Sequence, residues 1–239
     1  MKLSLPRLRM PGRRRSRPRW WIVLVPGLGL ILTTAAVAGE LHGVVHLVSD
    51  SGAPQQSGLD PYAGTLSSIG KTQETPLRGV TPRDVVVYLT GAPAHVAPAP
   101  GAGKPALRQI NQSFEPHVLG VPVGTTVDFP NMDLVYHNVF SYSKTKRFDL
   151  GYYGKGKSRR VTFDKPGIVQ VFCDIHSTMS AYVLVVDTPF VTQPGDDGAY
   201  HFTHLPNGTY TLKVWHPDLG ERSMTVTVGD IVSTVDVNL

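Results

Sequence analysis

Cysteine is nearly absent from this sequence, since Cys173 is the only one among 239 residues. An intramolecular disulfide is therefore excluded, and the thiol must be inert and buried, an intermolecular link or a metal ligand. Beyond Ala38 the sequence also lacks the spacing of an amphipathic helix, which argues against a helical bundle.

Acidic residues are missing from residues 1–38, which contain eight of the 23 Lys and Arg residues. Removing those eight leaves 15 basic against 18 acidic residues, so the formal net charge changes from +5 to −3. The high isoelectric point therefore belongs to the N-terminal segment, and we predict no nucleic-acid partner.

The same segment has the order of parts of a targeting sequence. A basic run over 13–19 precedes an apolar stretch over 20–32, and Ala36-Val37-Ala38 fits an A-x-A cleavage pattern. We predict a signal peptide over 1–38 and an exported, periplasmic protein. An N-terminal membrane anchor is the alternative, because residues 20–38 approach the length of a spanning helix; no other membrane contact is predicted.

The rest of the chain alternates short β-rich runs with Gly, Pro and Asp turns, which predicts an all-β fold. A Ser-, Gly- and Pro-rich stretch over 51–82 reads as a surface loop, and residues 91–105 read as a proline-rich linker. We therefore divide the mature chain into 39–90, the linker 91–105, a central unit over 106–187 and a final piece over 188–239. The predicted strands cover 43–48, 84–89, 118–129, 135–142, 161–163, 168–173, 181–186, 199–202, 209–215, 223–228 and 231–238.

The final piece contains the segments DDGAYHF and LPNGTYTLKV, in which Gly198 and Gly208 each lead into an alternating strand. These segments resemble the carboxypeptidase-regulatory-like, transthyretin-type β-sandwich, and Gly43-Val44-Val45 fits its first strand. The resemblance implies that residues 39–90 and 188–239 form one sandwich, with the central unit inserted between two of its strands.

Three residues of the central unit have a spacing typical of a metal-binding loop. Cys173 ends a β-rich run, His176 follows after two residues, and Met179 after two more. His137 lies on a separate run upstream. Two His and one Cys with a weak Met are the ligand set of a blue-copper electron-transfer centre, so we predict one type 1 copper at these four residues.

Other interpretations of Cys173 differ in what they leave unexplained. Zinc sites use Cys, His and carboxylates, but Met is not among the usual ligands. A catalytic Cys–His pair needs an exposed, low-pKa thiolate and an orienting group, and it would not account for Met179 or His137. A buried, inert cysteine beside chance histidines is the remaining alternative.

The central unit resembles the cupredoxins of the plastocyanin and amicyanin group. The segments that carry the resemblance are Phe114 and Pro116, then Val121, Gly124, Val127, Phe129 and Asn131, then His137-Asn138-Val139, then Phe172, Cys173, His176 and Met179. It implies a Greek-key β-sandwich with His137, Cys173 and His176 as equatorial ligands and Met179 as the axial ligand. It also implies that Asn138 forms a hydrogen bond across to the Cys173 loop. The chain departs from the family pattern at Ile175, where Pro is frequent, and at Asp174, whose charge would favour the cupric state if it points inward.

The resemblance implies single-electron transfer without catalysis, because four protein ligands leave no strong open position for a substrate. The partner would be a redox protein of the cytochrome or dehydrogenase type. It would be acidic, because a basic stretch follows His137. The members of that stretch are Lys144, Lys146, Arg147, Lys155, Lys157, Arg159 and Arg160. Two alternatives remain at this point: a copper delivery or storage protein, and a surface protein with a vestigial copper site.

Overall fold

The computed structural model describes residues 39–47, 79–91 and 104–239. The predicted signal peptide, most of the predicted surface loop and most of the predicted linker lie outside these ranges. In the part described, the only helical element is the 3-10 turn Pro82–Asp84, so the predicted all-β class is confirmed. No helix in these ranges is long and apolar enough to cross a membrane.

The strands are β1 (Gly39–His46), β2 (Val86–Thr90), β3 (Arg108–Ile110), β4 (Ser113–Glu115), β5 (Val118–Pro122), β6 (Thr125–Pro130), β7 (His137–Tyr142), β8 (Arg147–Tyr153), β9 (Ser158–Phe163), β10 (Gly167–Phe172), β11 (Ser180–Val186), β12 (Val191–Thr192), β13 (Ala199–Leu205), β14 (Gly208–His216), β15 (Gly220–Val228), β16 (Ser233–Thr234) and β17 (Val237–Asn238).

One core is built from the two ends of the described chain. Its first sheet has the order β13-β1-β16, with β17 also pairing with β1, and its second has the order β12-β2-β14-β15. Side chains alternate along β1, where Leu41 and Val45 are buried while Glu40 and His42 are exposed. The buried apolar side chains between the sheets form one cluster with members such as Leu41, Leu89, Phe190, Tyr210, Leu212 and Val237.

A second core is built from the central residues. A five-stranded sheet with the order β5-β11-β10-β7-β8 is accompanied by two ribbons, β3-β4 and β6-β9. Their inward side chains form a separate cluster that includes Leu107, Phe114, Val127, Phe129, Val169, Val171, Cys173 and Met179. Burial of one such apolar side chain contributes about 1.5–3 kcal/mol, so this core provides a firm frame for the strands that carry the candidate site.

A third, smaller cluster joins the two cores. Its members are Val86, Tyr88, Val118, Leu184, Val186 and Trp215. A Cβ at Gly120 would lie 2.5 Å from Val86 Cγ1, so the close approach of β5 to β2 requires glycine at this position. Gln193 strengthens the contact, since it accepts from the Gly120 amide at 3.1 Å and donates to the Val118 carbonyl at 3.0 Å.

Several strand predictions need correction. The single run predicted over 118–129 is two strands, β5 and β6, separated by a turn in which Gly124 has a φ of +87°. The run predicted over 231–238 is likewise divided into β16 and β17. Four strands were not predicted at all: β3, β4, β8 and β12.

Candidate metal centre

The loop between β10 and β11 holds three of the four predicted ligands. Phe172 is the last residue of β10 and pairs with Ser180, the first residue of β11, so residues 173–179 form the hairpin loop. The Cys173 amide donates to the Met179 carbonyl at 3.2 Å, and the Met179 amide donates to the His176 carbonyl at 3.0 Å. These two bonds hold the predicted ligands of this loop in one compact turn.

The fourth predicted ligand reaches the loop from β7. His137 is the first residue of that strand, which runs antiparallel to β10 with Phe140 opposite Phe172. In this register the beginning of β7 lies beside the end of β10. His137 therefore lies next to Cys173, although 36 residues separate them in the sequence.

The structure brings together donor atoms from His137, Cys173 and His176, all within 4.8 Å of one another. Cys173 Sγ lies 3.9 Å from His137 Nδ1 and 3.8 Å from His176 Nδ1, and the two Nδ1 atoms are 3.1 Å apart. A triangle with these sides has a circumradius of about 2.1 Å, close to the roughly 2.0–2.3 Å that zinc keeps to imidazole nitrogen and thiolate sulfur. The donor triangle therefore fits a first-row transition-metal ion.

Burial differs among the four predicted ligands. His137 is fully buried, and Cys173 and Met179 are 4% and 1% exposed, whereas His176 is half-buried. Met179 lies in the same apolar cluster as Cys173. The donor triangle is thus closed to water except on the side of the His176 ring.

Asp133 binds the far side of the His137 ring, a contact that the sequence did not suggest. Its Oδ2 lies 2.8 Å from His137 Nε2. The same carboxylate accepts from the amides of Asn111 at 2.7 Å and Gln112 at 2.9 Å. Desolvation raises the pKa of the Asp133 carboxyl, but the bonds from Gln112, His137 and Asn111 outweigh it and hold that pKa below its ordinary value. The only sequence signal for this residue is an acid four positions before the histidine, in a loop without regular periodicity.

Asn138 does not make the hydrogen bond that the family resemblance implies. Its Nδ2 donates to Asp149 Oδ1 at 2.7 Å, in β8, and not to the Cys173 loop. Asp149 Oδ1 also accepts from the Gly151 amide, next to a register shift between β7 and β8. Among the described residues, Asn138 Oδ1 is buried without a hydrogen-bond partner. Asn138 therefore braces the irregular pairing of β8.

Asp174 is exposed and accepts a hydrogen bond from the Tyr152 hydroxyl. That bond raises the pKa of Tyr152 above its ordinary value. The carboxylate next to Cys173 is thus engaged with a tyrosine at the surface.

The class defined by these observations is an all-β chain with a buried His–Cys–His cluster that can hold a metal ion. No protein-family profile matches the chain, and no curated protein matches its sequence.

Several of the solved structures that resemble part of the chain are copper proteins or cupredoxins. A Cu-containing nitrite reductase from Thermus scotoductus SA-01 is 30% identical over 41% of this chain, with a TM-score of 0.35; the match spans 25% of the reductase. A reduced mutant of amicyanin is 24% identical over 38% of this chain and 90% of its own, with a TM-score of 0.33. A purple cupredoxin from Nitrosopumilus maritimus is 29% identical over 32% of this chain and 84% of its own, with a TM-score of 0.29. The transthyretin-type resemblance of the flanking segments stays a prediction.

Proposed function

We propose that this chain is an exported type 1 copper protein that transfers single electrons between redox partners. The observation that carries the proposal is the buried donor triangle of His137 Nδ1, Cys173 Sγ and His176 Nδ1. Met179 would be the weak axial ligand. Bound copper would supply a one-electron couple between Cu(I) and Cu(II).

The donor chemistry favours copper over zinc. The size of the triangle suits either metal, but structural zinc sites complete a tetrahedron with Cys, His or carboxylate. Here the loop contains Met179, which is buried in the same apolar cluster as Cys173 and whose backbone bonds to both Cys173 and His176. Two imidazoles and a thiolate with a distant thioether match the blue-copper set.

The protein holds these donors in place by its own contacts. The Cys173–Met179 bond closes the loop, and the β7–β10 register fixes His137 beside it. A preformed, buried site limits rearrangement when the charge of a bound ion changes, which suits electron transfer. Because His176 is the half-buried member, its ring is the part of the donor triangle most open to solvent.

The proposed partner is an acidic redox protein of the cytochrome or dehydrogenase type. Ion pairs already occupy part of the basic stretch, since Lys146 pairs with Asp164 and Arg160 pairs with Asp128. Lys155 and Lys157 are exposed in the turn between β8 and β9. Backbone bonds tie that turn to Asn131, so these two charges lie next to the start of the loop that leads to His137.

Copper titration of the purified full chain tests the proposal. We expect Cu(II) to produce an intense thiolate-to-copper absorption band and an EPR spectrum with narrow hyperfine splitting. Both signals should disappear in Cys173→Ser and persist in Thr178→Ser, a control in the same loop. A colourless protein, or a copper signal indifferent to Cys173→Ser, would contradict the proposal.

Electron exchange separates this function from copper delivery or storage. The loaded chain should be reduced and reoxidised rapidly and reversibly, with no loss of copper over many cycles. Release of copper on reduction would favour delivery instead.

A further inference from the structure

Asp133 connects a metal-ligand candidate to a turn in another part of the central sandwich. Its side chain is 14% exposed and lies in the loop between β6 and β7. One carboxylate oxygen accepts from the Asn111 amide, and the other accepts from the Gln112 amide and faces His137 Nε2. The Asp133 amide in turn donates to Asn131 Oδ1 at 2.8 Å, which fixes the backbone of the loop.

The turn that binds Asp133 has an uncommon backbone conformation. Asn111 and Gln112 have φ values of +52° and +56°, as a two-residue turn between antiparallel strands requires. The turn directs two successive N–H groups at one carboxylate, an arrangement that suits an anion. The Asp133 carboxylate is therefore oriented before it meets the imidazole.

The contact determines which nitrogen of His137 carries the proton. An ionised carboxylate only accepts hydrogen bonds, so His137 Nε2 must be the protonated nitrogen. The lone pair of the neutral ring then lies on Nδ1. That atom is the one that faces Cys173 Sγ and His176 Nδ1.

We propose that Asp133 is a positioning residue that holds His137 in its metal-binding tautomer and lowers the reduction potential of the bound copper. The inference rests on the proposed copper site. A negative charge hydrogen-bonded to the back of a ligating imidazole makes that ligand more basic. It also stabilises the more positive of two metal charge states, which here is Cu(II).

The variant Asp133→Asn removes the charge with little change of shape. With its amide oxygen in the place of Oδ2, Asn can still accept from His137 Nε2 and the Gln112 amide, and only the bond from the Asn111 amide is lost, so copper should still bind. Asp164→Asn is the matched control, because it removes a carboxylate of the same sandwich that pairs with Lys146 and touches no predicted ligand. The potential of each copper-loaded variant is measured by redox titration, and the Cu(II) and Cu(I) affinities by competition with chelators.

We expect Asp133→Asn to weaken Cu(II) binding by about 10-fold or more, with a smaller effect on Cu(I). A tenfold loss confined to Cu(II) corresponds to a rise of about 59 mV in the potential of a one-electron couple. Asp164→Asn should shift the potential far less. Equal reduction potentials in Asp133→Asn and Asp164→Asn would overturn the role of Asp133. The proposed function would still be supported in that case if the parent shows the absorption band that depends on Cys173.

Nitrogen-15 NMR of the metal-free parent chain provides a test that needs no variant. We expect a His137 ring proton on Nε2, protected from exchange by the Asp133 bond. A proton found on Nδ1 would overturn the inference even if copper binds. A parent chain that binds no copper would overturn both the proposed function and the effect on potential.

Discussion

The amide nitrogen of Cys173 donates a hydrogen bond to the carbonyl oxygen of Met179 over 3.2 Å. This bond spans the loop that carries Cys173, His176 and Met179, so the loop is closed by protein contacts alone. Ordering of the ligands is completed when the protein folds, and less conformational entropy is lost when an ion binds. Because the bond uses only the backbone of Met179, a substitution of the Met179 side chain should leave it in place.

Met179→Leu should keep the blue band but change the EPR hyperfine pattern of Cu(II), because leucine cannot replace a thioether donor. The volumes are similar, so the free energy of unfolding of the metal-free chain should fall by less than about 1.5 kcal/mol. Met224→Leu, in β15, is the matched control and should leave the spectrum unchanged. Identical spectra for parent and Met179→Leu would reduce Met179 to a packing residue.

Asn138→Ala should destabilise the chain by about 1–3 kcal/mol, because the substitution removes a bond to Asp149 at a largely buried position. If Asn138 acts by bracing β8, Asp149→Ala should have a related effect, and the double variant should cost less than the sum of the two. Urea unfolding of the three variants measures this coupling. Strict additivity would show that the two side chains act independently.

Lys155→Ser with Lys157→Ser should slow the oxidation of the reduced copper protein by hexacyanoferrate(III), an anionic probe, at low ionic strength. The two lysines lie on the turn that is bonded to Asn131, at the start of the loop leading to His137, and removal of their charge should weaken attraction of an anion. Lys144→Ser with Lys165→Ser removes the same charge at the turns far from the ligand end of β7 and should have a smaller effect. Stopped-flow rate constants at two salt concentrations measure the effect of each double variant. Equal slowing by both double variants would exclude steering by Lys155 and Lys157 in particular.

Acid should weaken the two-sheet core built from the two ends of the described chain. The residue responsible is His216, at the end of β14, which is 1% exposed. Burial lowers the pKa of His216 below its ordinary value of 6.5. At a pH between the pKa of His216 in the folded chain and its ordinary value, the unfolded chain binds a proton that the folded chain does not. The contribution of His216 to stability is therefore complete above pH 6.5 and is lost as the pH falls toward the folded pKa.

The unfolding free energy measured in urea at about pH 7.5 and about pH 5.5 should therefore depend less on pH in His216→Gln than in the parent. His201→Gln, an exposed position, should retain the parent's dependence. The same pH slope in His216→Gln and the parent would refute the assignment to His216.

Residue spacing singled out Cys173 and His176, the family resemblance supplied the distant His137, and the structure places the donor atoms of all three together. Spacing is informative where a loop is as short and local as this one. It could not suggest Asp133, whose role depends on backbone amides of Asn111 and Gln112 from a distant turn. The bond from Asn138 to the Cys173 loop, which the resemblance implied, is not formed, because Asn138 donates instead to Asp149 in β8, a strand that the sequence did not predict.

Strand prediction succeeded where at least one face is buried and failed where neither face is consistently apolar. β14 has apolar residues at alternate positions and β11 is a continuous apolar run, and both were predicted closely. β8 contains Arg147, Asp149 and Gly151, and most of its residues are exposed or half-buried. Only its pairing with β7 makes it a strand, and pairing between distant segments is not visible in local composition.

The flanking core draws on residues from both sides of the central sandwich, and this arrangement sets an order of assembly. Val45 of β1 pairs with Val237 of β17, whereas the central core is complete once β11 has formed. When the chain is synthesised from its N-terminus, the central sandwich can fold while β1 and β2 still lack their partner strands, which lie after β11. Once closed, it converts most of the chain between β2 and β12 into a folded unit, which shortens the flexible loop between these strands and lowers the entropy lost when they pair. The metal-binding unit would thus act as an intramolecular template for the sandwich that surrounds it in sequence.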